Sequence, residues 1–197
     1  MKLELHKYDL PELEIFTTEP GDYKFSAWVP DNYYLVLGSS NKIEKSINQE
    51  AVLKDRIKVY KRPSGGETVI LSPKTVVLSA LVRTEGFIDP QIIFRNANQL
   101  IMKKLSSIGI KGLQYRGISD VAIDGKKILG SSIYRKKQKA FYHAVLNVHE
   151  TTALMEKYIL HPPREPGYRK GRSHKDFVTS LHDAGYPFTP AQLANLF

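Results

Sequence analysis

Three runs of this 197-residue chain hold side chains suited to chemistry. The first is Lys61-Arg62-Pro63-Ser64-Gly65-Gly66, continuing as Glu67-Thr68-Val69-Ile70-Leu71. Adjacent glycines after a strand let backbone approach a ligand and turn N–H groups toward it. An arginine just before such a turn can pair with a phosphate or carboxylate through two parallel hydrogen bonds. Alone, the same residues describe an ordinary hairpin turn. The second run is Gly117-Ile118-Ser119-Asp120, followed by DGKKILGSS at 124–132. A strand-borne lysine aimed into a cleft neutralises a carboxylate or phosphate. Lys126 and Lys127 alternate sides, so at most one faces inward; two surface lysines on a solvated hairpin is the plain alternative. The third run, FYHAVLNV at 141–148, puts His143 on a strand. It is there as a hydrogen-bonded core histidine or as a base.

Composition narrows the chemistry. The chain has no cysteine, which excludes disulfides, thiolate metal sites and a cysteine nucleophile. The six histidines are scattered without metal-ligand spacing. Neither a signal segment nor an apolar run of about 18 residues is present, so the expectation is a cytoplasmic protein with no membrane partner. A net charge of +9 favours an anionic partner.

The elements that must position these runs are mostly strands. Residues 3–6 and 24–29 alternate in polarity between Pro11, Pro20, Gly21 and Pro30, and 32–38 reads as a buried strand entering a loop. Residues 42–54 have helical spacing. Three strands, 57–62, 67–71 and 76–81, follow with short connections, which predicts antiparallel pairing. The clearest helix spans 90–108: Asp89 is its cap, Pro90 opens it, Gly109 stops it, and Ile93, Ala97, Leu100, Ile101, Leu105 and Ile108 form its stripe. Strands 121–123 and 127–129 make a hairpin around Asp124-Gly125. Strands 131–134 and 141–148 are joined by a basic stretch. A helix at 152–160, a Pro/Gly/basic loop at 161–176, a helix from about 178 and a last one after Thr189-Pro190 complete the chain. The sum is α+β, a mostly antiparallel sheet with flanking helices, in one domain over 1–197.

In this order and spacing, the three runs resemble the lipoate–protein ligase A family, in the superfamily that also holds biotin–protein ligases and lipoyl or octanoyl transferases. The family's R-R-x-S-G-G-G-A-V-x-H-D is similar to KRPSGGETVILS at 61–72. Its N-D and K-[IV]-x-G-S-A match Ser119-Asp120 and Lys127-Ile128-Leu129-Gly130-Ser131-Ser132, and its H-H-G-T-L-L matches YHAVLN at 142–147. The resemblance implies a biotin/lipoate ligase-like fold and a reaction in two halves. A lipoate or octanoate carboxylate attacks the α-phosphate of ATP, with Mg2+ assisting, to give an acyl-AMP and pyrophosphate. A lysine of an acceptor domain then displaces AMP. By resemblance Arg62 contacts the adenylate, Gly65 and Gly66 form the turn beside it with Glu67 in line, and Thr68, Val69 and Ile70 frame the nucleotide. Asp120 lies near nucleotide and metal, and Ser64, Gly130, Ser131 and His143 serve the acyl substrate. Lys127 is the expected catalytic cation, stabilising charge at the reacting carboxyl.

The chain's departures from the family pattern include these. Glu67 stands for the third glycine, Leu71-Ser72 for His-Asp, Ser119 for Asn, and Ala144 for Gly. Residues 1–24 diverge from the family's N-terminal helix, which helps enclose the acyl tail. The expectation is a divergent member without the accessory C-terminal domain, any such part being a separate chain. It forms lipoyl-AMP or accepts it preformed; an octanoyltransferase lacks its cysteine here. The alternatives are a ligase fold that only binds, or a basic nucleic-acid-binding domain. Two basic clusters, Arg135 to Lys139 and Arg164 to Lys175, suit an acidic lipoyl-acceptor domain or a glycine-cleavage H-like protein. They lack the interleaved aromatics of nucleic-acid binders except at Tyr168. The loop 161–176 is expected to be mobile and to close over the adenylate.

Overall fold

The computed structural model describes residues 3–17, 23–84, 86 and 88–197; Pro20 and Gly21, expected as turn residues, lie outside these. Its strands are β1 (Leu5–His6), β2 (Tyr23–Trp28), β3 (Tyr34–Leu37), β4 (Lys58–Lys61), β5 (Val69–Leu71), β6 (Thr75–Arg83), β7 (Leu113–Arg116), β8 (Asp120–Ile123), β9 (Lys126–Lys136) and β10 (Lys139–Asn147). Its helices are α1 (Leu13–Thr17), α2 (Ile43–Ser46), α3 (Gln49–Lys54), α4 (Pro90–Ser107), α5 (Thr152–Tyr158), α6 (His174–Phe177) and α7 (Pro190–Ala194).

The strands form two sheets. The larger is antiparallel, in the order β2-β6-β10-β9-β8-β7. The smaller runs β1-β4-β3-β5. The antiparallel expectation for the three strands around 57–81 is wrong in detail. β4 is parallel to both β3 and β1, β5 pairs antiparallel with β3, and β6 belongs to the other sheet. The segment holding α2 and α3 is long enough to carry the chain back for a parallel return. A tight turn, with Thr75 N donating to Ser72 O at 2.9 Å, then sends it from one sheet to the next.

Other expectations shift for local reasons. The helix at 42–54 is two. Ile47 is extended and bridges Ile159, and Asn48 caps α3 by accepting from Ala51 N. The basic connection at 135–139 is mostly strand, since β9 reaches Lys136 and β10 starts at Lys139. The helix expected from 178 is instead α6, ending at Phe177; Val178 is extended and bridges Lys127. α4 is as expected, with Asp89 accepting from Gln91 N, but Leu100 lies to one side of the buried stripe and is exposed.

Packing brings the sheets together. Leu78, Ile101, Leu105, Val121, Leu129 and Leu193 pack α4 and α7 on the large sheet; Leu35, Leu37, Val52, Val59 and Tyr158 pack α3 and α5 on the small one. Each such buried side chain contributes about 1.5–3 kcal/mol. A third cluster joins the sheets: Val36, Tyr60 and Leu71 meet Val77, and Tyr8 and Leu10 from the N-terminal segment close over them. Among the described residues no helix is long and apolar enough to cross a membrane.

Candidate active site

A cavity of about 840 Å³ opens between the two sheets. Its small-sheet wall carries Val36, Arg62 and 66–71; its large-sheet wall carries Val77, 127–132 and 143–145; segment 162–167 and Arg169 form a rim. Ser64 and Gly65 stand behind this lining rather than in it. The other sequence-predicted site residues all line it.

The glycine turn is built around Arg62. That side chain is 4% exposed and donates from Nε to Ser64 Oγ (3.0 Å), from Nη1 to Val36 O (3.0 Å), and from Nη2 to Gly65 O (2.7 Å) and Glu67 O (2.9 Å). Burial pushes its pKa down to about 10, which leaves it charged at neutral pH. Expected at the adenylate, Arg62 spends most of its N–H groups within the protein: on the Ser64 hydroxyl, on the β3 carbonyl of Val36, and on the turn carbonyls of Gly65 and Glu67. Gly66 has φ +85°, and a Cβ on Gly38 would lie 2.0 Å from Gly66 O, so the two glycine backbones pack directly. Asn41 ties the region together: its Oδ1 accepts from Gly38 N and Thr68 Oγ1, and its Nδ2 donates to Glu67 Oε2 at 3.3 Å. Burial raises the Glu67 pKa, against the hydrogen bond from Asn41 and the charges of Arg164, Arg62 and Arg169. Lys61, which opens the run, donates to Asn41 O.

Ser64 also reaches the large sheet. Its Oγ lies 2.5 Å from His143 Nε2 and 3.0 Å from Ser132 Oγ, and Ser132 Oγ lies 2.6 Å from the same nitrogen. Burial, with Arg62 nearby, lowers the His143 pKa to about 3. The ring is therefore neutral at neutral pH, its tautomer sets which of the three atoms donates, and so low a pKa makes it a poor proton acceptor.

The opposite wall depends on a bulge. Asp120 pairs with Gly130, Val121 with Leu129, and Ala122 with Lys127. In a regular strand, residues 127 and 130 would point to opposite faces. The extra residue puts both on the face of Asp120. Lys127 then lies back over Gly130, where a Cβ would be 2.5 Å from Nζ, and pairs with Asp120 Oδ1 at 2.8 Å. The Asp124-Gly125 tip has φ of 50° and 73°, the turn chemistry that a two-residue hairpin requires. Ser131 donates its hydroxyl to Ser119 O. Lys127 is thus the inward lysine.

Residues 16–197 match the family model of the lipoyl protein ligase A/B catalytic domain. The chain belongs to this family. A lipoate-protein ligase of Bacillus subtilis (strain 168) is 25% identical over 112 residues, 57% of this chain and 33% of the relative. A lipoate-protein ligase of Streptococcus pyogenes (serotype M5, strain Manfredo) is 28% identical over 139 residues, 69% and 39%. The matches span less than two-fifths of these relatives' length. The fold is that of a bi-partite lipoate protein ligase from Thermoplasma acidophilum, with TM-score 0.80 at 20% identity over 94% of this chain and 72% of that one. It is also that of a lipoate-protein ligase A bound with ATP, with TM-score 0.79 at 17% identity over 98% and 80%.

Sequence reasoning missed the N-terminal contribution. Tyr8 and Glu12 line the cavity, although 1–24 has no recognisable family helix. Glu12 is 1% exposed, accepts from the Tyr8 hydroxyl at Oε1, and has no partner at Oε2 among the described residues. Burial raises its pKa above the usual carboxylate range. The missed signal was the alternation of Tyr8, Leu10 and Glu12. Asn41 and Tyr168 were missed as well. The basic loop is tied down by Arg169, whose Nε donates to Arg172 O, and by Arg172, which donates to Tyr168 O and Gly125 O.

The lining fits a nucleotide: a backbone cradle, an apolar stretch, and Lys42, Lys45, Lys127, Arg164 and Arg169 for phosphate. It does not build a metal cage. Among the described residues no three metal-ligating side chains cluster, and both oxygens of Asp120 are engaged, one by Lys127 and one by Tyr168. Magnesium suits this site as a companion of nucleotide phosphates, which commonly need only one or two carboxylates.

Proposed function

We propose that the chain is the catalytic domain of a lipoate–protein ligase or lipoyltransferase, forming or using lipoyl-AMP and passing the acyl group to a lysine of an acceptor domain. The observation that carries this reading is Lys127, fixed over Gly130 by Asp120 and facing a cavity whose other wall is the Arg62-built turn. A fixed cation there stabilises charge as the acyl carboxylate meets the α-phosphate, and again as the amine attacks the acyl carbonyl. The apolar wall of Val36, Val69, Leu71, Val77 and Val145 suits a medium-length acyl chain such as lipoyl or octanoyl. Asp120 holds Lys127 and, by the family resemblance, would be the carboxylate to meet a nucleotide-bound Mg2+. The structural relative described with its E2 lipoyl domain supports an acceptor of that kind, acidic enough to meet the basic rim. Its bi-partite make-up supports a separate accessory chain. The Gly-to-Glu67 change is compatible with this reading, because Asn41 donates to the carboxylate and the charges of three arginines partly offset its burial. The test is pyrophosphate release on incubation with ATP, Mg2+ and lipoate or octanoate. Release with the wild-type chain and none with Lys127→Ala supports the ligase; release that ignores Lys127 contradicts it.

A further inference from the structure

Asp120 carries a second contact that its pairing with Lys127 does not need. The Tyr168 hydroxyl, from the basic loop, donates to Asp120 Oδ2 at 2.9 Å, while Oδ1 holds Lys127 Nζ at 2.8 Å. The Asp120 side chain is 7% exposed, so neither oxygen has ready access to water. A carboxylate with one oxygen pinned keeps its plane; with that oxygen bare, it rotates to find a donor.

The loop is built to deliver this hydroxyl. Gly117, at φ +58°, leaves the space in which Tyr168 and Pro166 sit; a Cβ there would lie 3.3 Å from Pro166 and 3.4 Å from the Tyr168 ring. The ring packs against Phe177 at 5.0 Å between centroids. Arg172 accounts for the other side: it donates to Tyr168 O and to Gly125 O, the tip of the hairpin that carries Asp120 and Lys127. Loop and hairpin are therefore clamped as one unit. The hairpin is further fixed where Thr179 N donates to Lys127 O.

We infer that Tyr168 is a positioning residue: its hydroxyl orients Asp120, and Asp120 in turn aims Lys127 into the cavity. The functional part of this rests on Lys127 being the catalytic cation; the geometric part does not. The loop then does more than cover the site. Displacing it, by a ligand or an acceptor domain, releases the Lys127 ammonium from its fixed line.

The test is a double-mutant cycle between Tyr168→Phe and Asp120→Asn, with two readouts. Phenylalanine keeps the ring on Phe177 and Gly117, so the fold is retained; circular dichroism verifies this. The first readout needs no enzymatic activity: the rate at which an amine-reactive acetylating reagent labels Lys127, resolved by peptide mass spectrometry. Tyr168→Phe raises that rate by about twofold or more, toward the Asp120→Asn rate, and adds nothing in the Asp120→Asn background. The second is acyl transfer: Tyr168→Phe lowers kcat about tenfold, with KM for nucleotide little changed. Unchanged labelling in Tyr168→Phe, or full additivity with Asp120→Asn, overturns the inference whatever the activity result. Non-additive labelling in a chain that transfers no acyl group upholds the geometry and refutes only the ligase reading.

Discussion

Gly130→Ala separates the placement of Lys127 from the stability of the fold. A Cβ on Gly130 would lie 2.5 Å from Lys127 Nζ and 2.6 Å from its Cε, and 3.6 Å from Asp120 Oδ1. The clashing atoms are the far end of a flexible side chain, and Gly130 is not among the positive-φ glycines, so the backbone accepts alanine and the ammonium moves. The Lys127 side chain is 31% exposed but Asp120 only 7%, so losing the ion pair costs about 1–2 kcal/mol, between an exposed pair and a buried one. Removing a glycine from the unfolded chain offsets this by about 0.4–1 kcal/mol. Net stability therefore falls by no more than about 1.5 kcal/mol. Function does not escape so lightly. A preorganised group displaced from developing charge costs about 10²–10³ in rate, or roughly 3–4 kcal/mol. The assay pairs urea unfolding with single-turnover acyl transfer from lipoyl-AMP to an acceptor domain, in Gly130→Ala, Lys127→Ala and the double variant. The expected pattern is near-native stability, a large rate loss, and no further loss in the double variant. Rate loss matched by an equal loss of stability, or a rate within about threefold of wild type, refutes the reasoning.

Three further perturbations follow from the same geometry. Arg62→Met strips a donor from the carbonyls of Val36, Gly65 and Glu67 and from Ser64; urea titration should register a loss of about 3–5 kcal/mol, the cost of breaking a buried charged network. Gly38→Ala drives a Cβ into the Gly66 carbonyl, backbone against backbone, and should destabilise by about 1–3 kcal/mol while weakening nucleotide binding by calorimetry. His143 has a folded-state pKa of about 3, well below its unfolded value, so between these the unfolded chain binds the extra proton. Its contribution is complete above pH ~6.5 and falls by about 1.4 kcal/mol per unit as pH drops toward 3. His143→Gln should flatten stability between about pH 4.5 and 6.5. Glu12, with a raised pKa, acts in the opposite sense, so the difference between variant and wild type is the measurement that counts.

Legibility in the sequence followed locality. The 120–130 hairpin was readable because Asp124-Gly125 dictates its turn and Lys127-to-Gly130 fits a known spacing; the bulge that gives the spacing its meaning was not, since it depends on pairing with β8. Helix α4 was readable from its cap, proline and stripe. The break at Ile47-Asn48 was not, because Ile47 leaves the helix to pair with Ile159, more than a hundred residues away. The hydrogen bonds of Arg62 within the protein were not readable: a phosphate-binding arginine and a turn-building arginine have the same letters around them. Asn41, Glu12 and Tyr168 meet the site only through tertiary contacts, from segments with no motif of their own.

The most direct measurement is the mass of an acceptor lipoyl domain after incubation with this chain and synthetic lipoyl-AMP, with Lys127→Ala alongside. One lysine of the acceptor is expected to gain a lipoyl group with the wild-type chain and to stay unmodified with the variant. An acceptor unmodified by the wild-type chain, with lipoyl-AMP supplied and with ATP and lipoate in its place, would contradict the ligase reading.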